Sequence, residues 1–104
     1  MATAIPGETL YSYPLSERFR PRPHVIWARH ADAIVILDAD RGQYYTLNEV
    51  AGRIWELLVA EEPLVEVLRA LREEYDAPVN ALEADLDALL TRLLGAALIE
   101  RSFV

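Results

Sequence analysis

The chain has 104 residues, 53% hydrophobic and 26% charged, with a formal net charge of −7. That suits one domain with a modest core and excludes a disordered chain. Apolar runs fall far short of the ~20 residues a membrane helix needs, the start lacks the basic-then-apolar order of a secretory signal, and the absence of cysteine removes disulfides, iron–sulfur clusters and thiol nucleophiles.

All ten basic residues are Arg. From Val25 onward seven Arg face fifteen Asp and Glu, so the body carries −8, while the first 24 residues carry +1. An acidic body repels a phosphate backbone and prefers neutral or cationic partners. A cytoplasmic protein that binds neither nucleic acid nor membrane is the expectation.

Residues 1–23 contain Pro6, Pro14, Pro21 and Pro23 without sustained periodicity, and read as a flexible Pro-rich N-terminal extension. The domain is expected over residues 24–104. Val25–Ala28 is a short β-rich run. Ile34–Leu37 is apolar at every position, which predicts a strand buried on both faces. Asp38-Ala39-Asp40-Arg41-Gly42 is turn chemistry, and Tyr44–Leu47 completes a hairpin. The period then becomes helical. Val50, Ile54, Leu57 and Leu58 share a face behind a cap at Asn48 or Thr46. Pro63 opens a second helix striped by Leu64, Val67, Leu68, Leu71 and Tyr75. Asn80 and Glu83 read as the capping pair of a third, striped by Leu82, Leu86, Leu89, Leu90, Leu93 and Leu94, with Gly95 closing it. Ala97–Ile99 reads as a short extended end. The fold class is α+β: a three-stranded antiparallel sheet followed by three helices, in the order of a winged helix-turn-helix.

No constellation for catalysis emerges. His24 and His30 have no metal-ligand spacing and no acidic companions, so no metal is expected. Asp38 and Asp40 begin like a calcium loop, but the closing carboxylate is missing. The serines have no local base. The reading is therefore a non-catalytic binding module without cofactor. Two features offer a surface: a three-stranded sheet leaves an edge strand with unpaired backbone groups, and the apolar stripe of the third helix is broad enough to face both the core and a groove.

The run Ile36-Leu37-Asp38-Ala39-Asp40-Arg41-Gly42-Gln43-Tyr44-Tyr45-Thr46-Leu47-Asn48 resembles the PqqD-like family, whose pattern is an apolar strand, an Asp-bearing turn, Gly-x-Tyr/Trp, then Leu-Asn opening a helix. Residues 51–58 and 84–99 fit the helices that follow. The resemblance, over Val25 to Ile99, implies a recognition element for ribosomally made, modified peptides. The subtype it is most similar to is the leader-binding half of the split lasso-peptide B protein.

That resemblance implies a leader peptide that adds as a strand to the third strand and packs on the third helix. Carried onto this chain, the site is Gln43, Tyr44, Tyr45, Thr46 and Leu47, with Leu82, Asp85, Leu86, Leu89, Leu90 and Leu93. Strand alternation lets only one of Tyr44 and Tyr45 face the groove. The implied partners are the precursor leader, a separate leader peptidase and an ATP-dependent macrocyclase. A peptide chaperone for a radical enzyme and a DNA-binding winged-helix regulator are the alternatives. Tyr11-Ser12-Tyr13-Pro14 repeats the Tyr-x-x-Pro pattern common in lasso leaders, so the extension is a candidate mimic for the groove.

Overall fold

The computed structural model describes residues 9–10 and 13–103. In chain order the elements are β1 (Thr9–Leu10), β2 (Tyr13–Pro14), β3 (Arg18–Pro21), β4 (Val25–His30), β5 (Ala33–Asp38), β6 (Gln43–Leu47), α1 (Glu49–Val59), α2 (Leu64–Glu74), α3 (Val79–Gly95) and β7 (Ile99–Ser102). The class is α+β, with an antiparallel sheet and three helices. No helix among the described residues is long and apolar enough to cross a membrane.

The central sheet has the order β4-β5-β6, antiparallel throughout. Ile34, Ile36 and Asp38 point into the protein and are buried, whereas Val35 and Leu37 are only half-buried. The expectation that this strand is covered on both faces therefore fails. The outer face holds the cross-strand row Ile26–Leu37–Tyr44, of which Ile26 and Tyr44 are exposed.

The turn into β6 is built by one side chain. The amides of Asp40 and Arg41 donate to Asp38 Oδ1 at 3.0 and 3.1 Å, and Arg41 Nη1 donates to Oδ2 at 3.0 Å. Gly42 takes φ +67°, where a Cβ is strained. Burial pushes the Asp38 carboxyl up, but the Arg41 amide, the Arg41 guanidinium and nearby His24 outweigh it and hold the group below its ordinary range.

Asn48 caps α1 by accepting from the Ala51 amide at 3.0 Å. Gly52 lets α1 approach β5 closely: a Cβ there would meet Ile34 Cγ1 at 3.0 Å. The α3 boundaries differ from expectation. Pro78, with its fixed φ, precedes the first helical residue, so Asn80 lies within the first turn and Glu83 just beyond it, and neither caps the helix. At the other end Gly95 remains helical, and Ala97 takes the left-handed conformation at φ 59°. The core gathers Ile34 and Ile36 from the sheet with Ile54, Trp55, Leu71, Leu86 and Leu90 from the helices. Trp27 meets Trp55 edge-on, with ring centroids 6.3 Å apart.

The largest correction concerns the N-terminal segment. Residues 13–23 are part of the folded body, contrary to the expected extension over 1–23. Arg18–Pro21 pairs antiparallel with Ile99–Ser102, and Phe19 is 0% exposed against the edge of Tyr13. The carbonyls of Leu15 and Glu17 accept from the amides of Val65 and Leu64 at 2.9 and 3.0 Å, which satisfies the first turn of α2. The prolines permit this because Pro14 and Pro21 sit at strand ends, where a missing N–H is tolerated. Residues 1–8, and Tyr11 and Ser12 of the Tyr-x-x-Pro pattern, lie outside the described residues.

Candidate functional site

Among the described residues β6 pairs with β5 alone, so its second margin carries backbone N–H and C=O groups without strand partners. The pleat sends Tyr45 and Leu47 inward, half-buried and buried. Tyr44, 70% exposed, and Thr46 point to the outer face. Tyr45 is therefore the tyrosine that faces α3. Its hydroxyl donates to Gln43 Oε1 at 3.1 Å.

Two adjoining cavities run along α3, and Leu89 and Arg92 line both. The smaller, about 40 Å³, lies beside the strand and is walled by Tyr45, Leu47, Leu93, Ala96 and Leu98. The larger, about 290 Å³, continues past the end of β6 between α1 and α3. Asn48, Val50, Ala51 and Ile54 form one wall, and Asp85 and Ala88 the other. Together they make one groove, bordered by an open strand margin.

Of the expected helix residues, Asp85, Leu89 and Leu93 line this groove. Leu82, Leu86 and Leu90 do not: all three are buried in the core, Leu86 and Leu90 with no exposure at all. Each helical step turns about 100°, so Leu86 and Leu90, one position after Asp85 and Leu89, swing into the interior. The reading from sequence missed Ala88, Arg92 and Ala96, and the α1 wall altogether. The spacing 85, 88, 89, 92, 96 marks one helix face, but small and charged members hide it from a search for leucines.

Two other features stand apart from the groove. Tyr13 shares a 2.9 Å hydrogen bond with Thr91 on the flank of α3, and neither Tyr13 nor Pro14 lines the groove. A polar cavity of about 320 Å³ is lined by Arg29, Asp32, Glu49, Arg53, Glu56 and Tyr75. Its charges are largely engaged with one another or with Glu74: Arg29 pairs with Glu56, and Arg53 holds both oxygens of Glu74 at 2.8 and 3.0 Å. The Arg29 hydrogen bond leads the influences that hold the Glu56 carboxyl low against its burial, while burial pushes the Tyr75 hydroxyl up. His24 sits with Nε2 3.7 Å from Asp38 Oδ1, at the turn and away from the groove. No three His, Asp or Glu side chains among the described residues converge to hold a metal ion.

Residues 33–99 match the family described as coenzyme PQQ synthesis protein D (PqqD). No curated protein matches the chain. Two solved structures do. One, described as TbiB1 in complex with the TbiA(beta) leader peptide, is 31% identical with a TM-score of 0.73, covering 78% of this chain and 94% of the other. The second, a lasso peptide synthetase B1 complexed with the leader peptide, is 30% identical with a TM-score of 0.73, covering 80% and 98%.

Proposed function

The chain belongs to the PqqD family, and on that premise we propose that it binds the leader of a ribosomally made precursor peptide, as a recognition element of lasso-peptide biosynthesis. The observation that carries this reading is the open margin of β6 running beside a groove, in a chain similar over most of its length to two B1 proteins solved with leader peptides.

The leader adds to β6 as a fourth strand of the central sheet. Backbone hydrogen bonds to Gln43–Leu47 give affinity and register at about 0.5–1.5 kcal/mol net each. Alternate leader side chains enter the groove against Tyr45, Leu47 and Leu89, where apolar burial contributes about 25 cal/mol per Å². These gains offset the cost of ordering a flexible peptide. The element order, a hairpin followed by three helices, corresponds to a winged helix-turn-helix put to peptide capture. The protein binds and presents, and leaves the covalent steps to its companions. Those are a leader peptidase and an ATP-dependent macrocyclase acting on the presented core peptide. A nucleic-acid role is disfavoured, because α3 carries Glu83, Asp85 and Asp87 against a single Arg92.

The test is amide hydrogen exchange, with and without a synthetic TbiA(beta) leader, the peptide bound in one of the two similar structures. Slowed exchange across Gln43–Leu47 is the expected result. A leader that binds tightly and leaves those amides unprotected would overturn the strand-addition reading.

A further inference from the structure

The groove is uncharged except at two points. Asp85 and Arg92 are the charged residues that line it, both exposed. Neither side chain makes a hydrogen bond or ion pair among the described residues. That is unusual for arginine in this molecule. Eight of the ten arginines hold a carboxylate or a carbonyl, and the two that do not are Arg72 and Arg92. Arg72 lies on α2, outside the groove. A free cation in a protein of net charge −7 therefore stands beside the open strand margin, with a free anion seven residues before it on the same helix face.

We propose that Asp85 and Arg92 read two charges of opposite sign on the incoming peptide, and so set its specificity and direction. This rests on the strand-addition reading above. Seven residues of helix span about 10.5 Å. An extended peptide advances about 3.4 Å per residue, and every second side chain faces the groove. The two recognised residues are then two or four positions apart, spans that long basic and acidic side chains bridge.

Direction follows from the geometry. Tyr45 lies by Leu93 and Ala96, whereas Asn48 and Ile54 lie by Asp85 and Ala88, so β6 and α3 run in opposite senses. A peptide antiparallel to β6, as β5 is, passes Asp85 before Arg92. Its basic residue therefore precedes its acidic one. A mismatched peptide leaves a groove charge partly desolvated beside a like charge, which penalises the wrong sequence more than the match rewards the right one.

The test pans a displayed library of random 16-residue peptides on the full-length protein, then on Arg92→Glu and Arg92→Gln. Binders from the wild-type pool are measured by fluorescence anisotropy at two salt concentrations. The expected pool carries Lys or Arg followed two or four positions later by Asp or Glu. Arg92→Glu is expected to weaken such binders about tenfold and to regain the loss when the acidic residue becomes Lys, with Arg92→Gln intermediate. Circular dichroism checks that each variant is folded, which an exposed site favours. A pool that protects β6 amides yet lacks charge order, or shows the reverse order, overturns this inference and leaves the proposed function standing. A library without any binder that protects β6 overturns both.

Discussion

Among the described residues β6 and β7 are both short strands paired on one margin only, and their single partners differ in origin. One margin of β7 is sealed by a distant stretch of the chain: Arg18–Pro21 lies along Ile99–Ser102 with Phe19 driven fully into the core. β6, of similar length, is paired by its own hairpin neighbour β5, and its other margin lies beside the groove. The comparison teaches what a strand needs to be captured. At β7 the added strand is tethered, so its local concentration is high and its ordering cost is met as part of folding. Even so it brings an aromatic anchor and an ion pair, Arg20 to Glu100 at 2.9 Å. A peptide from outside lacks the tether, so β6 must supply more than backbone groups. The groove behind Tyr45 and Leu47 meets that need.

The sealed margin is broken most severely at its anchor. Phe19→Ala is expected to lower unfolding stability by about 3–5 kcal/mol in urea titrations, while the folded fraction keeps its affinity for leader. An equal loss of affinity would mean that the two margins are coupled. The open margin is sharpened by a pair on α3. Leu86→Ala is expected to cost about 2–5 kcal/mol of stability and leave binding intact. Leu89→Ala is expected to weaken leader binding about tenfold in anisotropy, because Leu89 lines both cavities.

Acid tests the turn that delivers β6. The Asp38 carboxyl is held low in the folded protein, so its contribution is complete above the ordinary carboxylate range near pH 4 (about 3.9 when unfolded). It is lost as pH falls through the lowered folded value. Asp38→Asn is expected to destabilise the protein at neutral pH and to flatten the acid limb of a stability-against-pH curve. Ala97→Gly should raise the melting temperature, through about 1 kcal/mol gained by relieving the left-handed conformation. The smallest effect belongs to the sealed margin's surface pair. A double-mutant cycle on Arg20 and Glu100, both partly exposed, should give about 0.2–1 kcal/mol and shrink with added salt.

These contrasts also mark what is legible in the amino-acid sequence alone. The Asp38–Gly42 turn and the Asn48 cap are local chemistry, each closed within four residues, and both stand in the structure. The three helices announce themselves by period. Phe19 gives no such signal, because its burial depends on a strand about 80 residues away in sequence. The same limit hides the site. Leu86 and Leu89 look alike in a stripe, and only the packing of α1 and α2 decides which faces inward. Likewise the parity of Tyr44 and Tyr45 follows from the face of the sheet that the helices cover. Asn80 and Glu83 have capping chemistry, but Pro78 starts the helix before they can act.

The pairing of Arg18 with Ser102 also governs when the molecule can be completed. A nascent chain leaving the ribosome exposes Phe19 long before Ile99–Ser102 has been synthesised. The seam therefore closes only after translation has reached β7, across a loop of about 80 residues. Until then the sheet and helices can assemble around an unfilled aromatic seat, and that interval is when this protein is most exposed to proteases and to self-association.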